Sequence, residues 1–221
     1  MKNLFVTIAL VLLSNSLFSQ LKGSGKTITK SFNYENFDKL SFEDVDGIIE
    51  VEVGKPFQIS ITIDDNLFPL LEVLNNVSDK SLTIRLKGNR NNKLYIEYTK
   101  IKIKVCLPNL IYLKNDSNSY VKASGISGNY LKVETIDNGS TLLTGEIDNL
   151  ETKNSGNGVL DSAKLVSKNA KIMATGNGNV TVNTSKLITA TTSGNCTVIN
   201  LGTAKFDSNS TSTGNSRFTN Q

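Results

Sequence analysis

Ser155-Gly156-Asn157-Gly158-Val159-Leu160 and Thr175-Gly176-Asn177-Gly178-Asn179-Val180 are two copies of one phrase, which returns throughout the second half of the chain. Shorter copies stand at Ser117-Asn118-Ser119, Asn138-Gly139-Ser140, Ser193-Gly194-Asn195 and Thr213-Gly214-Asn215. With positions 118, 139, 156, 176, 194 and 214 taken as the middle of each copy, the spacings are 21, 17, 20, 18 and 20 residues. A small polar turn at near-constant period, with β-type sequence between the turns, is the pattern of a chain coiled into a solenoid. Gly and Asn suit the corners because both tolerate positive φ. Stacked Asn side chains can also link their amides from coil to coil.

Between the turns lie short apolar pieces: Val121–Ala123, Leu131–Val133, Leu142–Thr144, Leu150–Thr152, Ile172–Ala174, Val180–Val182, Leu187–Thr189, Thr197–Ile199 and Ala204–Phe206. Two pieces fall in each repeat of about 19 residues. Small residues such as Ala123, Ala174 and Ala190 suit a narrow interior. Six coils at ~4.8 Å spacing predict a body about 25–30 Å long.

Working outward, the first half reads as half-buried strands of period two. Leu40 and Phe42 alternate with Ser41 and Glu43, and Ile49, Val51 and Val53 alternate with Glu50 and Glu52. Phe57, Ile59, Ile61 and Ile63 form a third set, Leu82, Ile84 and Leu86 a fourth, and Ile101 to Leu107 a fifth. Asp64-Asp65-Asn66 before Leu67-Phe68-Pro69-Leu70-Leu71 predicts one short helix near 66–74, with Pro69 in its first turn. Gly88 to Asn92 reads as a loop, and Pro108-Asn109 closes this half.

Met1-Lys2-Asn3, the apolar run Leu4 to Leu13 and the small polar exit Ser14 to Ser19 have the layout of a secretory signal peptide. The apolar run is too short to span a bilayer as a helix. Cleavage after Ser19 then leaves a mature chain with no second long apolar stretch. The expected organisation is a signal peptide at 1–19, an N-terminal β region at 20–110 and β-solenoid repeats at 111–221. Cys106 and Cys196 are too few for a disulfide framework. Cys106 alternates outward with Lys102 and Lys104, which predicts a surface thiol.

The net charge of +4 hides an asymmetry. Glu35 to Glu72 holds ten carboxylates against Lys39 and Lys55, and Arg85 to Lys114 holds eight basic residues against Glu97. Acidic and basic strands of one sheet can pair on its solvent face. The alternative is a basic patch for an acidic glycan, a lipid head group or nucleic acid. Nucleic acid is disfavoured, because the basic segment offers few stacking groups, Tyr95 and Tyr98 among them, and arrives with an export signal.

The catalytic inventory is poor. There is no His, which removes the usual general base, the Ser–His and Cys–His pairs and the commonest metal ligand. Sugar hydrolysis needs two facing carboxylates, whereas Asp116, Glu134, Asp137, Glu146, Asp148, Glu151, Asp161 and Asp207 are scattered. Lys153 with Asp161 is no better placed than chance for lyase chemistry. Gly156 to Asp161 resembles a calcium-binding β-roll nonapeptide, but the position matching Asp161 one repeat later is Thr181. Thr189/Thr191 and Thr211/Thr213 do not recur in every coil as an ice-binding face requires. No catalytic, cofactor-binding or metal-binding residue is assigned, and no cofactor.

Five segments then carry a resemblance: Asp46-Gly47-Ile48-Ile49-Glu50-Val51-Glu52-Val53, Asp64-Asp65-Asn66-Leu67, Ser81-Leu82-Thr83-Ile84, Lys104-Val105-Cys106-Leu107-Pro108-Asn109-Leu110 and the Ser/Thr-Gly-Asn repeats. In this order they resemble the head GIN domain, a family frequent in Bacteroidota and described as auto-transporter adhesins. The eponymous Gly-Ile-Asn reads Gly47-Ile48-Ile49 here, and Ile49 joins the inward alternation of its strand. The resemblance implies an exported all-β protein with a β-helical body and supplies no catalytic residues.

The expectation is an all-β chain whose N-terminal strands lead into a single-stranded parallel β-helix of about six short coils. Its function is that of an exported, non-enzymatic cell-envelope structural or adhesion-type protein binding a glycan or cell-surface protein through flat Asn/Thr-rich faces. The alternatives are a degenerate carbohydrate-active enzyme of β-helix type and a scaffold that self-associates through an open solenoid end. The address is periplasm, outer surface or medium.

Overall fold

The computed structural model describes residues 20–87 and 95–221. The segment read as a signal peptide and the Gly88 to Asn92 loop lie outside the described residues. Strands β1 (Gln20–Lys22), β2 (Thr27–Phe32), β3 (Lys39–Glu43), β4 (Ile48–Val53) and β5 (Gln58–Asp64) come first. They are followed by β6 (Leu71–Asn76), β7 (Ser81–Leu86), β8 (Tyr95–Glu97), β9 (Lys102–Leu107), β10 (Tyr112–Asp116), β11 (Tyr120–Ile126) and β12 (Tyr130–Asp137). Three long strands then turn through corners, β13 (Ser140–Gly156), β14 (Val159–Gly176) and β15 (Asn179–Gly194). The chain ends in β16 (Thr197–Asn200), β17 (Thr211–Gly214) and β18 (Arg217–Asn220).

These strands stack into two walls that enclose one narrow core, a β-solenoid of about five turns with N-terminal strands. The first wall runs β2, β5, β9, β4, β11, the starts of β13, β14 and β15, then β16 and β18. The second runs β6, β7, β3, β10, β12, the ends of β13, β14 and β15, then β17. From β3 and β4 onward every ladder is parallel, as coiling in one sense demands. Only β2 with β5, β5 with β9 and β6 with β7 are antiparallel. The chain does not add coils in order: β5, β6, β7 and β9 lie beyond β3 and β4, and β10 with β11 returns on their other side.

The helical spot is a single 3-10 turn, Phe68–Leu70, with Pro69 in it and no side-chain cap. Strand β6 follows immediately and pairs Glu72 with Arg85. Ala204–Phe206 does not form the expected strand. Phe206 makes only an isolated bridge to Ile188, and its ring packs 4.6 Å from that of Phe218. The outer strand of that wall is Thr211–Gly214 instead, in register with Thr191–Gly194.

Inside, Ile49, Val51, Ile61, Ile84, Val105, Val121, Leu131, Leu160 and Val180 are fully buried, as their alternation requires, and so are Ala123, Ala174 and Ala190. The core also takes polar residues where the chain turns. Asn115, Asn154 and Asn200 are buried and donate their amides to the carbonyls of Ser119 (3.1 Å), Gly158 (3.0 Å) and Ala204 (2.7 Å). Each braces its corner from within by hydrogen-bonding a backbone carbonyl of the turn four residues on.

From outside, a second asparagine series holds the same stack. Asn138, Asn157, Asn177, Asn195 and Asn215 each donate Nδ2–H to the Oδ1 of the asparagine one coil earlier, at 3.2, 2.9, 2.9, 2.8 and 3.0 Å. Their spacings from Asn118 onward are 20, 19, 20, 18 and 20 residues. The uneven 21 and 17 arose from centring two copies on different letters of the phrase; Asn, not Gly, marks the coil. Glycine flanks the ladder for a steric reason. At Gly176, φ is +95°, and at Gly178 a Cβ would sit 2.1 Å from the Gly158 carbonyl oxygen of the coil before.

A candidate ligand cleft on the first wall

The charge asymmetry resolves largely into cross-strand pairing. Arg85 meets Glu72 at 2.7 Å, Lys104 meets Glu52 at 3.0 Å, and Lys114 meets Glu43 at 3.1 Å and Asp116 at 2.9 Å. Glu52, also held by Lys55 at 2.7 Å, has its carboxyl lowered to about 2, first by the Lys55 hydrogen bond and then by that from Lys104. Among the described residues Lys102 has no ion-pair partner, and it lies where the first wall opens into a cleft.

This cleft, about 660 Å³, sits outside β4, β9 and β11. Its floor is set by register: Thr62, Lys102, Ile48 and Tyr120 lie in one row across β5, β9, β4 and β11. Period-two alternation turns all four outward. Ile48 is 50% and Tyr120 44% exposed. Tyr98 rises from the segment before β9 as the other wall and is 74% exposed. Its φ is +54°, a left-handed conformation costing a non-glycine residue about 1–2 kcal/mol. The Lys22 ammonium lies 5.3 Å from the ring centroid. The segment is anchored by buried Asp64, whose carboxylate accepts from the backbone N–H groups of Gly25 (2.8 Å) and Lys100 (2.5 Å).

Polar groups ring this apolar floor. The Thr99 hydroxyl donates to the Asp46 carbonyl, and the Lys100 ammonium reaches the Gly25 carbonyl at 3.1 Å. Partial desolvation raises the carboxyl pKa of Asp46 above its ordinary value. Gly47 has no room for a side chain, since a Cβ would lie 2.6 Å from the Ile101 carbonyl oxygen. Asn118, first rung of the outer ladder, closes the cleft toward the repeats. A groove of about 380 Å³ beside Glu50 and Lys104 shares Ile48, Thr62 and Lys102 with it.

The carboxylates considered for catalysis are placed differently. Glu134 and Glu151 converge on the second wall, but around Lys132, at 3.0 and 3.8 Å. The Tyr130 hydroxyl donates to Glu151 at 2.9 Å, and burial, then Glu151, raises that phenol to about 12. Asp148 pairs with Lys168 at 2.6 Å. Asp161 accepts from the Ala163 backbone N–H and Asp207 from Thr189, so both serve turns. Lys153 and Asp161 lie on opposite walls. Among the described residues no group of three or more His, Cys, Asp or Glu is placed to hold a metal ion. No helix among them is long and apolar enough to cross a membrane.

Both cysteines are free and buried. Cys106 does lie on the outer face, yet it is only 3% exposed, with Glu52 at 3.7 Å and Gln58 at 4.0 Å from its sulfur. The surface thiol expected from alternation is therefore covered. Period two gives the face of a residue, while neighbouring strands decide what lies over it. The same limit hid the cleft. Tyr98 and Tyr120 stand 22 residues apart, and only the pairing of β4 with both β9 and β11 brings their surroundings together.

A family profile described as "Putative auto-transporter adhesin, head GIN domain" matches residues 36–204. Among solved structures, a "putative adhesin" from Bacteroides fragilis NCTC 9343 superposes with a TM-score of 0.65 at 20% identity, covering 91% of this chain and 100% of that one. A second "putative adhesin", from Parabacteroides distasonis ATCC 8503, gives 0.54 at 16% identity, covering 92% of this chain and 98% of that one. At these identities the likeness is one of fold. No curated protein matches the chain.

Proposed function

The chain belongs to the head GIN domain family, and from that premise we propose that it is an exported, non-catalytic adhesion module of the cell envelope that holds a glycan in the cleft on its first wall. Export rests on the layout of Met1 to Ser19. The glycan reading rests on one observation above the others: two exposed tyrosine side chains and an exposed isoleucine share a cleft rimmed by hydrogen-bonding groups. A sugar ring offers apolar C–H faces and polar edges, so it needs a flat apolar surface beside donors and acceptors. Tyr98 and Tyr120 supply the first, at low cost in side-chain entropy. Asp46, Thr99 and Asn118 supply the second. Binding sites are commonly concave and mostly apolar, with few placed polar groups. This narrows the contact surface from the flat Asn/Thr-rich faces to one cleft.

An array of immobilised glycans, probed with the mature chain and with a Tyr98→Ala/Tyr120→Ala variant, tests the proposal. The expected result is binding by the former and at least a tenfold loss in the variant, with the unfolding midpoint little changed. A folded protein that binds no glycan, or a variant that binds as well as its parent, overturns it.

A further inference from the structure

Resting on the glycan reading, we infer that the cleft takes a saccharide carrying an acidic group, and that this group is bound where the outer asparagine ladder ends. The ladder has a direction. All five of its hydrogen bonds run from Nδ2 of the later coil to Oδ1 of the earlier one. Six like-oriented amides in series polarise one another, as peptide dipoles do along a helix. The carbonyl end of the series is Asn215. The N–H end is Asn118, whose Oδ1 is engaged by Asn138 and whose Nδ2 meets no acceptor among the described residues. Asn118 lines the cleft. The series therefore brings a polarised amide donor, with the partial positive end of its dipole, to the site of the exposed tyrosines.

The charges beside it have the same sign. Lys102 is unpaired among the described residues and shares a row with Tyr120 through Ile48. Lys100 also lines the cleft, against the single acid Asp46. Lys104 on the same strand, and Lys114 on the second wall, are matched to carboxylates. A carboxylate or sulfate on a sugar stacked at Tyr120 would meet Lys102 on one side and Asn118 on the other, with charge-assisted hydrogen bonds from both.

The mature chain should be passed over immobilised chondroitin sulfate, polygalacturonate and dextran, with phosphatidylglycerol vesicles alongside. At least one acidic polysaccharide is expected to bind ten times or more tighter than neutral dextran, with affinity falling as salt rises. Asn118→Asp keeps the acceptor that Asn138 uses but replaces the donor with a negative charge. It should cost about tenfold on the acidic polysaccharide, as the loss of a hydrogen bond to a charged group does. Lys102→Gln should cost several-fold, and in both variants the loss on the acidic polysaccharide should exceed any loss on dextran. Lys186→Gln, an exposed change in a distant coil, should do nothing; a loss equal to that of Lys102→Gln overturns the site.

Equal affinity for acidic and neutral polysaccharides overturns the acidic preference and leaves the glycan reading standing. Binding to no polysaccharide overturns both. Binding to the vesicles with none to the polysaccharides gives the anionic site to a lipid head group, and also overturns the inference.

Discussion

Asn157 does two jobs at once: its Nδ2 donates to Asn138 and its Oδ1 accepts from Asn177. The end members do one each, since Asn118 only accepts and Asn215 only donates along the ladder. Substitution by aspartate therefore has opposite consequences at the two ends. Asn215→Asp sets a carboxylate oxygen against the Asn195 carbonyl oxygen and should destabilise by about 1 kcal/mol, whereas Asn118→Asp keeps its bond and should be neutral. Urea unfolding of both variants decides the direction of the ladder, and the reverse order of stability refutes it. The cysteines give a second test at this scale. Desolvation, then Glu52, raises the Cys106 thiol above its ordinary pKa, and both sulfurs are covered. A thiol-reactive reagent at pH 8 should label neither in the native protein and both in urea. Prompt labelling of Cys106 would restore the surface thiol that alternation predicts.

At the level of elements, the corners and the paired strands obey separate rules. Corners are legible in sequence because Gly and Asn meet local demands of φ and close approach, so Thr175-Gly176-Asn177-Gly178 announces itself. Pairing partners are not legible. Lys39–Glu43 and Ser81–Leu86 share one alternation and similar length, and nothing in either says that β3 separates β7 from β10. That order is decided by packing across tens of residues, as is the short strand that follows Pro69 where a helix was expected. The same pairing creates a pH dependence. Glu52, ordinarily 4.5, is held to about 2 in the folded protein by Lys55 and Lys104. A depressed carboxyl adds stability above its unfolded pKa, and that part is lost as pH falls toward the folded value. The urea midpoint should thus be level above pH 5 and decline between about 4.5 and 2. Glu52→Gln should start lower at neutral pH and decline less; an unchanged slope would show that the Glu52 pairs do not couple to folding.

For the whole molecule, the all-β repeat body was open to sequence reasoning, while its candidate site was not. Repeats write themselves at fixed period. The cleft is a single event, at the point where coils added out of order bring β9, β4 and β11 side by side and leave Tyr98, Ile48 and Tyr120 facing outward. That junction lies at the foot of the asparagine ladder, so the repeats both build the body and orient the last amide toward the cleft. The charged pairs on the second wall border a smaller opening, about 370 Å³, beside Tyr112 and Tyr130. The most direct test of this account is amide shift mapping by NMR of the mature chain with a chondroitin sulfate hexasaccharide. Perturbations are expected to cluster at Ile48, Tyr98, Lys102, Asn118 and Tyr120, with the coils beyond Ser140 silent. Perturbations centred on the second wall, or spread evenly over the coils, would contradict it.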